Sequence, residues 1–128
     1  SITCLRGANM AKDDYDVVVF RILVYLYSVF KGKQNFRQNV FLKEVSRIDE
    51  EYLKRVLAMM SDEGLIEGLH FCKAWRNVRI LANDLADMSI TSDGIHYLLE
   101  NNRMRKIKEF LLNQSGTMAG LIEMVFGG

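Results

Sequence analysis

Apolar and polar positions along the chain alternate in blocks with two different periods. The first block, residues 15–30 (YDVVVFRILVYLYSVF), is apolar at nearly every position, with Arg21 near its middle. Its β-branched run at Val17–Val19 suits a strand, but the block is too long for one. Its flanks read as helix ends. Asp13, Asp14 and Asp16 lie where the helix dipole is positive, Lys31 and Lys33 where it is negative, and Gly32 is a C-terminal stop. A helix over 14–31 that is apolar all round needs more than one packing partner. It is shorter than the roughly 20 residues that cross a bilayer, and Arg21 would sit inside. The acidic residues before it stand where a signal peptide is basic. The expectation is a buried helix in a cytoplasmic protein with no membrane partner.

A polar loop (KGKQNFRQN) separates this block from VFLKEVSRIDEEYLKRVLAMMSDEGLIEG. Val40–Val45 can form a short helix, and Ser46 and Arg47 make a turn. Asp49 then acts as N-cap, with Ile48 before it and Leu53 at the fourth helical position as a hydrophobic staple. Leu53, Val56, Leu57 and Met60 follow the i, i+3, i+4, i+7 rule, and Gly64 ends the helix. Two helices joined by so short a turn form a helix-turn-helix. The period then changes. Leu65–Phe71 and Val78–Ala82 are β-rich runs around a polar CKAWRN tip, with Val78, Ile80 and Ala82 alternating with Arg79 and Leu81 to give one buried face.

Downstream, MSITSDGIHYLLENN places Gly94 in the first turn of a helix, an expensive choice by propensity. Thr91 as N-cap resolves it: Ile90 and Ile95 form a second staple, and Gly94 falls where the helix passes close to the preceding chain and the sheet. The tail carries two more stripes, Ile107, Phe110 and Leu111, then Leu121, Ile122, Val125 and Phe126, interrupted by QSGT. The expected fold is mainly α with a small β-hairpin: a winged helix-turn-helix over residues 11–101 and a C-terminal helical extension over 102–128. Residues 1–10 lack periodicity and are expected to be a vector-derived or disordered leader.

This order resembles the YjcQ family, small winged-helix proteins of Gram-positive bacteria and their phages. MMSDEGLIEGLHF and SITSDGIHYLLENNRMRK carry the likeness, which runs from about Tyr15 to Phe126. The phrase Ile90-Thr91-x-x-Gly94-x-x-Tyr97-Leu98 also occurs in winged-helix regulators resembling PadR and MarR. The resemblance implies a fold and a phage-associated setting. It implies no catalytic residues.

Composition narrows the chemistry. A 128-residue chain is long enough for one domain with a real core. Formal net charge is +1, and 0 without Arg6, so no global field draws the chain to nucleic acid or acidic lipid. Two cysteines, Cys4 and Cys72, give no disulfide framework and read as free thiols. His70, Cys72 and His96 come to mind as metal ligands, and His70 and Cys72 would share one face of a strand, but a third and fourth ligand are not evident, so no metal is expected. No Gly-rich phosphate loop, nucleophile elbow or HExxH occurs, so neither an enzyme nor a cofactor is expected.

Two functional readings remain. In the first, the chain is a DNA-binding regulator that contacts duplex DNA through Lys43, Arg47, Lys54, Arg55, Lys73, Trp75, Arg76 and Arg79. Ala58 and Ser61 would lie beside the helix cations, and Trp75 would lie against sugar or base. Against it, residues 49–63 carry five acids and two bases, with Glu50 and Glu51 at the end that normally meets base edges. In the second, the winged helix is a scaffold for an unidentified protein partner. Both readings accommodate a homodimer closed by Val18 and Ile22 of the first helix and Leu121, Ile122, Val125 and Phe126 of the tail.

Overall fold

The computed structural model describes residues 11, 14–73, 79–114 and 117–127. Helix α1 (Tyr15–Phe30) runs through the centre of the molecule, with nearly its whole length buried. Its all-round apolar surface is covered by the rest of the same chain: α2 (Gln38–Val40, continuing as a π-helical turn Phe41–Ser46), α3 (Glu50–Asp62), α4 (Ser92–Glu100), α5 (Asn102–Leu112) and α6 (Thr117–Phe126). Among the described residues, no helix is long and apolar enough to cross a membrane.

Arg21, the one cation inside α1, is 2 % exposed. Its Nε donates to Val45 O at 2.7 Å and its Nη2 to Ser46 O at 2.9 Å. The guanidinium thus serves carbonyls at the end of the π-helical turn, where helix geometry leaves acceptors without donors and favours a cation. Arg47 follows with φ 55, the left-handed turn that redirects the chain into α3. Asp49 caps α3 as expected, accepting from Tyr52 N at 3.4 Å. The other end closes with Leu65 N donating to Met60 O and Gly64 N to Ser61 O.

The hairpin is present but broken in its middle. Strand β1 (Ile66–Glu67) pairs antiparallel with β4 (Ser89–Ile90), and β2 (Phe71–Lys73) with β3 (Arg79–Leu81). Residues 68–70 on one side face 82–88 on the other, and the surplus is taken up by a 3-10 turn at Leu85–Asp87. Gly68, at φ +98, makes the bend, and the Asp87 carbonyl occupies the space a Cβ would need. Asn83 replaces the lost ladder bonds: its Oδ1 accepts from His70 N at 2.8 Å and its Nδ2 donates to Gly68 O at 2.7 Å. The expected buried face of the second strand is reversed. Ile80 is 51 % exposed and Ala82 is exposed, whereas Leu81, opposite Phe71, packs on the core. The pleat leaves only one face of β3 available to the core, and the core takes the Leu81 side. Val78 lies outside the described residues.

Thr91 caps α4 as expected. Its Oγ1 accepts from Gly94 N at 2.9 Å and donates to Gly64 O at 2.5 Å. Gly94 lies against the Leu65 carbonyl, with Ile90 beside it. The helical pattern then breaks once more than the apolar stripe suggests. Asn101 accepts from Arg103 N at 2.9 Å and Met104 N at 3.1 Å, starting α5 as a separate helix.

Candidate nucleic-acid interface

The described residues expected to meet DNA fall on five pieces of chain, with Arg79 on β3. Lys43 is exposed on the π-helical turn, Arg47 in the turn before α3, Lys54 and Arg55 on the outer side of α3, and Lys73 on β2. Among the described residues, Arg47 is the only one other than glycine with positive φ. That conformation costs an L-residue about 1 kcal/mol and presents a cation at the tightest point of the turn. Trp75 and Arg76 lie outside the described residues.

On α3, Lys54 follows Glu50 and Arg55 follows Glu51, each by four residues, the spacing and order of favourable helical ion pairs. The cations therefore share their surface with acids. Ala58 does not line this strip; it is 7 % exposed, and Ser61 is half-buried. Beyond Arg55 the outer side continues through Met59, 48 % exposed, to Asp62 and Glu63.

Asp62 decides the fate of Arg79. The Arg79 guanidinium grips its carboxylate with both nitrogens, Nη1 to Oδ1 at 3.0 Å and Nη2 to Oδ2 at 2.5 Å. The hydrogen bonds, with the charge attraction behind them, hold the Asp62 carboxyl below its ordinary range and push the Arg79 guanidinium up. Arg79 is thus a clamp between β3 and the end of α3, and meeting a phosphate would require it to leave Asp62. Sequence reasoning placed Arg79 on a DNA-facing ribbon and counted Asp62 only among the acids that oppose DNA binding. Only the chain path shows that they meet, because 17 residues separate them.

The residues expected to close a dimer are already covered. Val18 and Ile22 are wholly buried, and Leu121, Ile122 and Val125 are 6 %, 1 % and 3 % exposed. The reason is that α6 folds back onto α1 and α5 of its own chain. Phe126 is half-buried, with Lys108 Nζ 4.7 Å from its ring centroid. Lys31 Nζ donates to Val125 O at 2.9 Å, a cation at the C-terminal end of α6. A homodimer therefore loses the exposed stripe from which it was argued.

At the far end of α3 lies a small polar cluster that sequence reasoning did not single out. Asp16 accepts from Arg103 Nε at 2.5 Å, and Tyr97 is within electrostatic reach of Asp16, Glu63 and Arg103. Tyr15 joins them: its hydroxyl is buried without a hydrogen-bond partner among the described residues. Burial first, then the charge of Glu63, pushes its pKa up to about 12. His70 and Cys72 are exposed on the ribbon, and no metal-holding group of three occurs among the described residues.

A family model described as YjcQ protein matches residues 20–112, from α1 to the end of α5. No curated protein and no solved structure matches the chain.

Proposed function

The chain belongs to the YjcQ family, and for it we propose a non-enzymatic winged-helix protein that binds duplex DNA, a regulator of phage or prophage type. In this reading α2 and α3 form the helix-turn-helix, with α3 directed to the major groove and the β2–β3 ribbon as the wing. The observation that carries it is the Asp62–Arg79 clamp. By fixing the ribbon to α3, it joins Arg47, Lys54, Arg55 and Lys73 into one unit, so that helix and wing can dock together without separate ordering costs. The strained, exposed Arg47 supports the same reading.

The acids at the start of α3 oppose it, because phosphate neutralisation supplies most non-specific affinity. A second reading is therefore an interaction scaffold that binds protein and no DNA. Met59 and Ile80, both about half exposed, favour it as apolar anchors on helix and ribbon. Salt-dependent titration of labelled duplexes separates the two. In the DNA reading, Lys54→Ala with Arg55→Ala changes preference among sequences, while Lys73→Ala weakens all duplexes alike and lowers the salt slope by about 1 unit. A flat titration at low salt would sink the DNA reading and leave the scaffold.

A further inference from the structure

Helix α5 carries a charge pattern that its packing uses only in part and the interface above does not use. Residues 102–112 hold four cations, Arg103, Arg105, Lys106 and Lys108, and one acid, Glu109. Helix dipoles favour acids near the N-terminus, and α1, α3 and α4 follow that rule with Asp16, with Glu50 and Glu51, and with Asp93. In α5 three of the cations instead fall within the first five residues, and the first turn holds no acid. Two of the four are committed elsewhere: Arg103 to Asp16, and Lys108 to the ring of Phe126. Arg105 and Lys106 are exposed and carry no ion pair among the described residues.

We propose that the outer face of α5, through Arg105 and Lys106, is a second contact for the phosphate backbone of a nucleic-acid duplex. The ligand's chemistry follows from the face. Arg105 donates to Asn102 Oδ1 at 3.3 Å and neither cation is ion-paired among the described residues, so against four cations the helix sets only Glu109, and positive charge near a helix start is unfavourable until an anion arrives. The apolar side of α5, Met104, Ile107 and Leu111, is buried in the core, so nothing remains to insert into a lipid surface as an interfacial helix must. The face also stands at the right end of the molecule. Arg103 at the start of α5 bonds Asp16, and both Arg103 and Glu63, the residue after α3, lie within electrostatic reach of Tyr97, so the start of α5 and the end of α3 flank the same tyrosine. A duplex along α3 and the ribbon can continue toward α5. The proposal borrows from the reading above only the identity of the ligand.

The test compares the full chain with Arg105→Gln plus Lys106→Gln, and separately with Lys54→Ala plus Arg55→Ala, against duplexes of unrelated sequence over a salt series. The α5 variant should bind several-fold more weakly to every duplex at low salt, with a log–log salt slope smaller by about 2 units. Its thermal midpoint should be equal to or above that of the parent, because the dipole conflict is relieved; weaker binding by a chain at least as stable is not a folding defect. Unchanged affinity and slope overturn the proposal. Loss of binding in the α5 variant with none in the α3 variant keeps the α5 contact and sinks the α3 reading. A parent chain that binds phosphatidylserine vesicles and no duplex, or neither, overturns the α5 contact as well.

Discussion

Gly94→Ala is the sharpest test of how α4 meets the sheet. Propensity alone makes alanine better than glycine inside a helix by about 1 kcal/mol. At this site the new Cβ would overlap the Leu65 carbonyl oxygen, lie 2.9 Å from Ile90 Cγ1 and 3.1 Å from the Leu65 carbonyl carbon. The Leu65 carbonyl cannot swing aside freely. It accepts from Thr91 N at 3.1 Å, and the next residue, Ile66, is paired with Ile90. Relief must come from shifting the whole start of α4, which would also strain the Thr91 cap. Overpacking typically costs about 1–3 kcal/mol, and an unyielding backbone neighbour puts this site at the upper end. Setting the propensity gain against that leaves a net loss of about 2 kcal/mol. Gly120→Ala on α6 is the internal control, because nothing lies within 4 Å of the Cβ it would add; it should stabilise by about 0.5–1 kcal/mol. Denaturant melts at constant m-value read both. The same sign for the two substitutions would refute the close-approach account of Gly94.

Other perturbations have equally definite outcomes. Arg21→Met should cost about 2–4 kcal/mol in the same melts, because Val45 O and Ser46 O stay buried while losing its donors; a neutral result would mean water reaches those carbonyls. Tyr15 holds its phenolic proton more tightly in the folded chain, its pKa raised from 10.0 to about 12 chiefly by burial. Its contribution should be fully present below pH 10 and decline as pH rises through about 12, and Tyr15→Phe should flatten that decline in alkaline melts without losing a hydrogen bond. Leu121→Glu with Val125→Glu should destabilise the fold by more than about 3 kcal/mol with no change in molecular mass, since both side chains are buried against their own chain. Light scattering showing a dimer that becomes a stable monomer would contradict that packing.

The sequence was most legible where a local rule and a tertiary demand coincide. Asp49 and Thr91 cap helices because residues whose side-chain oxygen can accept a backbone N–H precede apolar stripes, and both caps form. Gly94 was readable because its local cost demanded a tertiary reason. The strand β4 was not readable: Ser89–Ile90 is two residues long, and its pairing with Ile66–Glu67 depends on a bend at Gly68 that periodicity cannot encode. The face of β3 was misread for a related reason. Val78, Ile80 and Ala82 alternate as well as Arg79 and Leu81 do, and a three-residue strand lets the rest of the fold choose between them.

The all-round apolar α1 raised a different question, that of what covers it, and a single sequence cannot answer whether the cover comes from the same chain or from a copy. The hydrophobic effect is non-directional, so an apolar stripe specifies burial without specifying its partner. Here the length of chain after α5 is enough for α6 to return to α1, and the Lys31 bond to Val125 O fixes the return. Charge was the least legible property for the opposite reason, since its effect depends on pairing at short range. Counted along the chain, Arg79 and Arg103 add to a basic surface. In space each is bonded to an acid from another element, Asp62 and Asp16, so neither is held ready for phosphate. Arg105 and Lys106 sit in the same run and are not spent that way. The cations that matter for a polyanion are those left over after folding has used the others, and that remainder shifts the balance of positive surface from the β2–β3 ribbon toward α5.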